Sequence, residues 1–346
     1  MRSGVLAVVA LLLVAGCSGD PEAPAPQPIT VNVAGDVHFA GSSAAALEPG
    51  GLEAVAGVLG DADVTVVNVE TAITDRGDPA GKKYTFRAPA SGLGALKAVG
   101  VDVAAMANNH SLDYGRTGLQ DTLAAGKAQG LPIIGLGTDV GAAFAPYRTT
   151  VRDNRLAVFD ATQVLDTSLA TAWTATAEKP GLASVQTDSG RARLVAAVKA
   201  ERGRSDSIVV VLHYGRELAG CPTDDQRRIA RELVAAGADA VVGSHAHIQL
   251  GQGFLTAGDR TGFVDYGLGN FVFYAERPGT VDSGVLKLTL PGTGGVSAAA
   301  WTPATIRSGV PVPLTGDEAA EALQEKDSLR ACADLAATSG GQARKG

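Results

Sequence analysis

All five histidines of the chain stand in short polar clusters. His38 closes Gly35-Asp36-Val37-His38, and His110 closes Asn108-Asn109-His110, with Asp113 just beyond. His213 stands ahead of Tyr214-Gly215-Arg216-Glu217, and the last two lie in Gly243-Ser244-His245-Ala246-His247. Asn68-Val69-Glu70 adds a further amide and carboxylate. Imidazole, carboxylate and amide oxygen without thiolate suit Mn, Zn, Fe or Mg, and they disfavour a cysteine-built structural zinc site. Three cysteines are too few for such a site or for a disulfide-dense scaffold. A lone histidine is usually a satisfied polar residue. Five of five in such settings point instead to one shared site for divalent metal ions.

The elements that must position these groups are short β-branched runs. Ile29–Val33, Val64–Val69, Val101–Met106, Ile133–Ile134, Leu156–Phe159, Ile208–Leu212, Ala240–Val242 and Phe263–Tyr266 read as strands. Helical patterns fall between them at Leu47–Leu59, Gly92–Val99, Gly118–Gln129, Arg191–Arg202 and Asp224–Ala236. The last places Ile229, Leu233 and Ala236 on one stripe. This alternation predicts an α/β sheet with helical outer layers. Each histidine follows a predicted strand, where ligands bind in open α/β sheets. Strand side chains alternate with period two, so Asp-x-His and His-x-His each aim two ligands at one cavity. Gly284–Leu290 lacks a flanking helix and is expected to pair antiparallel, with a turn at Pro291–Val296 and a terminal helix over Ala319–Ala337. Gly267, Gly269 and Asn270 read better as a tight turn than as a phosphate cradle. Asn68 is either a donor to the site or a turn residue. Arg216 and Glu217 are either substrate contacts or a solvated charge pair.

The chain has 346 residues, 29 basic against 36 acidic, a net charge of −7. That balance argues against nucleic acid as a partner, because a binder carries a basic face. Apolar residues make up 45% of the chain, enough for a sizeable core. After Met1-Arg2, Val5–Ala15 is an unbroken apolar run. It is too short for a bilayer span, which takes roughly 20 residues as a helix, but it suits a secretory signal. Leu13-Val14-Ala15-Gly16-Cys17 resembles a bacterial lipobox. The resemblance implies cleavage before Cys17, a lipid on its sulfur and an exported protein held at the outer face of the cell membrane. Ser18–Pro28 is Pro-rich and reads as an extended tether. Export would place Cys221 and Cys332 where disulfides form; pairing and two buried thiols both remain open.

Taken in order, the His and Glu clusters, together with Tyr266-Gly267-Leu268-Gly269-Asn270-Phe271-Val272-Phe273, resemble the calcineurin-like metallophosphatase superfamily. Within it they resemble the CapA-type poly-γ-glutamate capsule proteins. Lys83-Tyr84-Thr85-Phe86-Arg87-Ala88-Pro89 also looks like that family, with no role apparent. The resemblance implies a four-layer α/β/β/α sandwich holding two metals at one end. Asp36, His38 and His247 would hold the first, and Asn109, His213 and His245 the second. Glu70 would take the bridging place, where related phosphatases have Asp. His110 would be the catalytic, non-ligand histidine that protonates a leaving group. Asp113 would orient it or serve only as a turn residue. The implied organisation is a lipoprotein signal over 1–17, a tether over 18–28, a CapA-like domain over 29–305, and a C-terminal helix and tail over 306–346. The implied role is support of synthesis, export or anchoring of an anionic envelope polymer, alongside its synthesis machinery. The alternatives are a metal-dependent phosphoesterase or amide hydrolase acting on another envelope substrate, and a metal that only staples the fold.

Overall fold

A computed structural model describes Met1, residues 24–274 and residues 277–341. The expected signal peptide, Cys17, the first part of the tether and the end of the tail lie outside the described residues.

Four parallel strands come first: Ile29–Val37, Val64–Val69, Val103–Ala105 and Ile133–Ile134. Between them lie the helices Glu53–Leu59, Ser91–Ala98 and Gly115–Gln129. The chain then builds a second sheet from Tyr147–Val151, Asn154–Thr162, Ser207–His213, Ala240–Ser244, Gln252–Ala257 and Arg260–Asp265. Its crossovers carry the helices Asp188–Glu201 and Asp224–Ala236. The last strands return to the first sheet. Asn270–Val272 pairs parallel with the end of Ile29–Val37, and Asp282–Leu290 pairs antiparallel with its earlier residues on the same edge, opposite Val64–Val69. Ala298–Arg307 and Val310–Pro313 extend that edge as an antiparallel meander, and the pairing agrees with the one expected from the helix-free Gly284–Leu290.

Alternation along the strands sorts apolar side chains into three layers. Val31, Val33, Val64 and Val66 meet Leu156, Val158, Val209 and Val211 between the two sheets. Val67 and Val69 face the first set of helices with Leu93, Leu96 and Leu119. Ile208, Val210 and Leu212 face the second set with Leu194, Ile229 and Leu233. Strands buried on both faces read as continuous apolar runs, and the result is the four-layer α/β/β/α sandwich.

Two helix expectations need correction. Over Leu47–Leu59 only Glu53–Leu59 is α-helical, preceded by a 3₁₀ turn over Gly41–Leu47. Pro49-Gly50-Gly51 interrupts the pattern, with Gly50 at φ 77°, outside the helical region. The terminal helix runs over Gly316–Ser328 rather than on to Ala337. Ala336 instead exchanges two backbone hydrogen bonds of 2.8 Å with Phe254, which holds the chain extended. Cys221 and Cys332 are disulfide-bonded, with Cα atoms 5.7 Å apart, tying this segment to the loop after His213. Among the described residues no helix is long and apolar enough to cross a membrane.

Candidate metal centre

The two sheets bring their polar strand ends to one place. Asp36 lies near the end of the first strand, where a register shift interrupts its pairing on both sides. Such bulges re-aim side chains next to functional sites. Gly35 is required there, since a Cβ would sit 1.9 Å from the Gly269 carbonyl oxygen. Asp36 is fully buried. Its Oδ1 accepts from Asn68 Nδ2 at 2.7 Å, and its Oδ2 lies 3.2 Å from His247 Nδ1 and accepts from the His245 backbone N–H at 3.3 Å.

Glu70 is also fully buried. Its Oε1 lies 3.4 Å from His213 Nε2 and 3.9 Å from His110 Nε2, and neither oxygen has a hydrogen-bond partner. His213 Nε2 is 2.7 Å from Asn109 Oδ1, while its Nδ1 faces Ser244 Oγ at 3.1 Å. His247 Nδ1 is also 2.9 Å from Asn270 Oδ1. His245 is buried with Nδ1 unpartnered. His38 is buried with Nε2 unpartnered, its Nδ1 3.0 Å from Ser43 Oγ.

Donor atoms of Glu70, His213 and His245 lie within 4.8 Å of one another, as do those of Asp36, Glu70 and His247. Glu70 belongs to both sets, and the two sets adjoin through it. His38 and Asn109 belong to neither set. His38 is nevertheless close enough to feel the Glu70 charge, and Asn109 reaches the centre through His213.

Electrostatics follow from this crowding. Burial pushes His38 down to about 3, against the raising effect of Glu70. Burial and the neighbouring imidazoles His213 and His247 lower His245 well below its ordinary value. Burial alone would lower His247, but Glu70 and Asp36 outweigh it and raise it to about 10. Burial would raise Glu70, and the charges of His213 and His247 pull it below the usual carboxylate range instead. A buried charge is costly unless it is paired or coordinates a metal. Here both Glu70 oxygens lack hydrogen-bond partners, and His38 and His245, held low by burial, each keep one ring nitrogen unpartnered. Neutral imidazole and ionised carboxylate are the forms that bind metal. The residues present therefore fit a divalent cation bound by oxygen and nitrogen.

His110 stands beside the set as a dyad with Asp113, Nδ1 to Oδ2 at 2.7 Å. Asp113 is fully buried and also accepts from the Phe86 backbone N–H at 2.6 Å, so it orients His110 as well as turning the chain.

Several groups of the site had no role assigned from the sequence. Lys82 Nζ lies 2.9 Å from Asp113 Oδ1 and 3.4 Å from His110 Nδ1, and donates to the Asn109 carbonyl. The segment with no apparent role supplies Phe86, whose ring lies 4.7 Å from that of His38 and 4.3 Å from that of His110. Asn270, expected only as part of a turn, also holds His247. Asn68 is a donor to the site. The His-x-His geometry differs from the extended pair expected: the strand ends at Ser244, and His245 and His247 have φ of 90° and 57°. A left-handed turn, sparsely populated by non-glycine residues, aims the two rings, and strain of this kind clusters at functional sites.

The profile of the family described as bacterial capsule synthesis protein PGA_cap matches residues 30–275. Over 221 residues the chain is 33% identical to the capsule biosynthesis protein CapA of Bacillus anthracis, covering 64% of this chain and 52% of that one. Over 242 residues it is 30% identical to the PGA biosynthesis protein CapA of Bacillus subtilis, covering 68% and 58%. The chain thus spans about half the length of the curated relatives it matches. Among solved structures it is similar to a Mycoplasma pneumoniae phosphatase, with TM-score 0.51 and 12% identity over 80% of this chain and 94% of that one. A candidate 5′-nucleotidase from Staphylococcus aureus, solved with alpha-ketoglutarate, gives TM-score 0.52 and 15% identity over 88% and 59%. At such identities the likeness speaks for the fold.

Proposed function

The chain belongs to the PGA_cap family of bacterial capsule synthesis proteins, and from that premise we propose that it is a lipid-anchored envelope protein. It supports synthesis, export or anchoring of poly-γ-glutamate or a similar anionic polymer, and it does so through a dinuclear metal site of hydrolase type. The observation that carries the reading is Glu70, a fully buried carboxylate with both oxygens unpartnered, shared between two sets of donors. Asp36, His38, Glu70, Asn109, His213, His245 and His247 would hold the cations, which when bound supply Lewis-acid polarisation of a phosphoryl or acyl oxygen and a more acidic water.

The remaining chemistry belongs to the chain. Asp113 holds His110 Nδ1, which leaves Nε2 on the Glu70 side. From there His110 gives a proton to a departing oxygen or nitrogen, a general-acid role that imidazole commonly fills. Phe86 supports the flank of the His110 ring, and Lys82 fixes the other oxygen of Asp113. Cys17, placed before the tether, would carry the lipid that holds the domain at the membrane surface.

A second reading rests on the His110–Asp113 dyad, which a purely structural metal would not require. In it the protein is a metal-dependent phosphoesterase or amide hydrolase acting on another envelope substrate. Purified protein analysed for metal and assayed on γ-glutamyl amide polymer and on phosphodiesters, beside Asp36→Asn, separates the two readings by substrate. Protein without stoichiometric metal, together with undiminished activity in Asp36→Asn, refutes the hydrolase site. A deletion strain with unaltered surface polymer refutes the capsule role.

A further inference from the structure

Glu217 stands in the loop after His213, exposed, and its carboxylate has no hydrogen-bond or ion-pair partner among the described residues. It is nevertheless placed with care. Gly215, at φ 99°, turns the chain as it leaves His213. Leu218 takes a left-handed φ of 56° and its N–H donates to the Ala246 carbonyl at 2.9 Å. That bond ties the loop to the turn that carries His245 and His247. A carboxylate oxygen of Glu217 consequently lies within 4.8 Å of donor nitrogens on both histidines. Glu217, Asn109 and His245 line one open cavity of about 510 Å³, the solvent approach to this side of the centre. An independent observation marks the same spot: His245 is 5% exposed and its Nδ1 is unpartnered.

Resting on the metal-centre reading above, we propose that Glu217 is an additional ligand of the metal centre, approaching it from the solvent side beside His245 and His247. Asp36 and Glu70 approach from the interior, so Glu217 is the carboxylate that closes the open side. Structural metal sites are closed, whereas catalytic ones keep an open position for water or substrate. A ligand on an exposed, otherwise untethered side chain can yield that position to a substrate oxygen, which the buried ligands cannot do. Glu217 then contributes to holding the metal in the resting protein and gives way when substrate enters.

The test is a Mn²⁺ titration of metal-free wild type, Glu217→Gln and, as a control for loss of a surface charge, Glu178→Gln. Calorimetry gives affinities and elemental analysis gives stoichiometry. Wild type and Glu178→Gln are expected to bind alike, while Glu217→Gln loses about tenfold or more in affinity for one equivalent, as losses around metal sites typically do. Unchanged melting of the metal-free Glu217→Gln protein shows that the fold is intact. Two equivalents bound by Glu217→Gln as tightly as by wild type overturn this inference and leave the metal centre standing. Wild-type protein that binds no Mn²⁺ overturns the metal centre and this inference with it.

Discussion

Glu70→Gln tests the core of the site, because it removes one charge and changes little in volume. In the metal-free protein the carboxylates of Asp36 and Glu70 face one imidazole that they raise to about 10, that of His247. The neighbouring His38 and His245 are held low by burial, and neither oxygen of Glu70 has a hydrogen-bond partner, so the pocket offers a cation an unsatisfied carboxylate. A cation that binds only the folded state stabilises it by about 2.7 kcal/mol at a free concentration of 100 times its Kd. At roughly 2–4 °C per kcal/mol for a chain of 150–250 residues, that raises Tm by about 5–10 °C, and by somewhat less for a longer one. Loss of the carboxylate shared by both donor sets should weaken binding by about 100-fold, the upper end for residues around metal sites. At the same metal concentration the stabilisation then falls to about 0.4 kcal/mol, a shift of about 1–2 °C. Scanning calorimetry of chelator-treated wild type and Glu70→Gln, each with and without Mn²⁺, reads both shifts directly. An undiminished shift in Glu70→Gln would show that the cation does not use Glu70, and the argument from its orphaned oxygens would be lost.

Replacing His110 with Asn should leave metal content unchanged and lower kcat on a cleaved substrate by about 10²–10⁴-fold, the usual contribution of a positioned acid; loss of metal from this variant would make His110 a ligand instead. Asp160 is buried, with Oδ2 accepting from the Ala107 N–H at 2.6 Å, and burial holds its carboxyl well above the usual range. The folded state therefore keeps that proton after the unfolded chain has released it, and stability falls as pH rises from about 4 towards the folded pKa. Asp160→Asn removes this slope, so denaturant titrations at pH 4 and pH 7 should show the variant gaining on wild type at the higher pH; an unchanged gap contradicts the burial argument. Lys326, 1% exposed, pairs with buried Asp265 at 2.8 Å and lies 4.6 Å from the Trp301 ring. Lys326→Met should cost about 3–5 kcal/mol by leaving Asp265 without its cation, and adding Asp265→Asn should recover part of it. A full-sized loss that persists in the double variant would assign it to packing instead.

The chain's own residues determined much of this. Side-chain chemistry is local, so the inventory of imidazole, carboxylate and amide groups, with no thiolate among them, stood in the sequence. Hydrophobic periodicity is local too. It marked Ile208–Leu212, Asp224–Ala236 and Gly284–Leu290, which lie within Ser207–His213, Asp224–Ala236 and Asp282–Leu290, because burial on one or two faces leaves a period. Tertiary structure decided what depends on residues far apart meeting. The His245 N–H reaches Asp36 Oδ2 across 209 residues, and Asn270 reaches His247 across 23. No spacing rule carries such distances. Lys82 shows the same limit: nothing local distinguishes it from an ordinary surface lysine, yet it braces Asp113, and Phe86 stood in a segment whose resemblance to the family gave no hint that it packs against the His110 ring. The place of Glu70 within both donor sets, and of Glu217 above the His245–His247 turn, likewise exists only once the strand ends of two separate sheets converge.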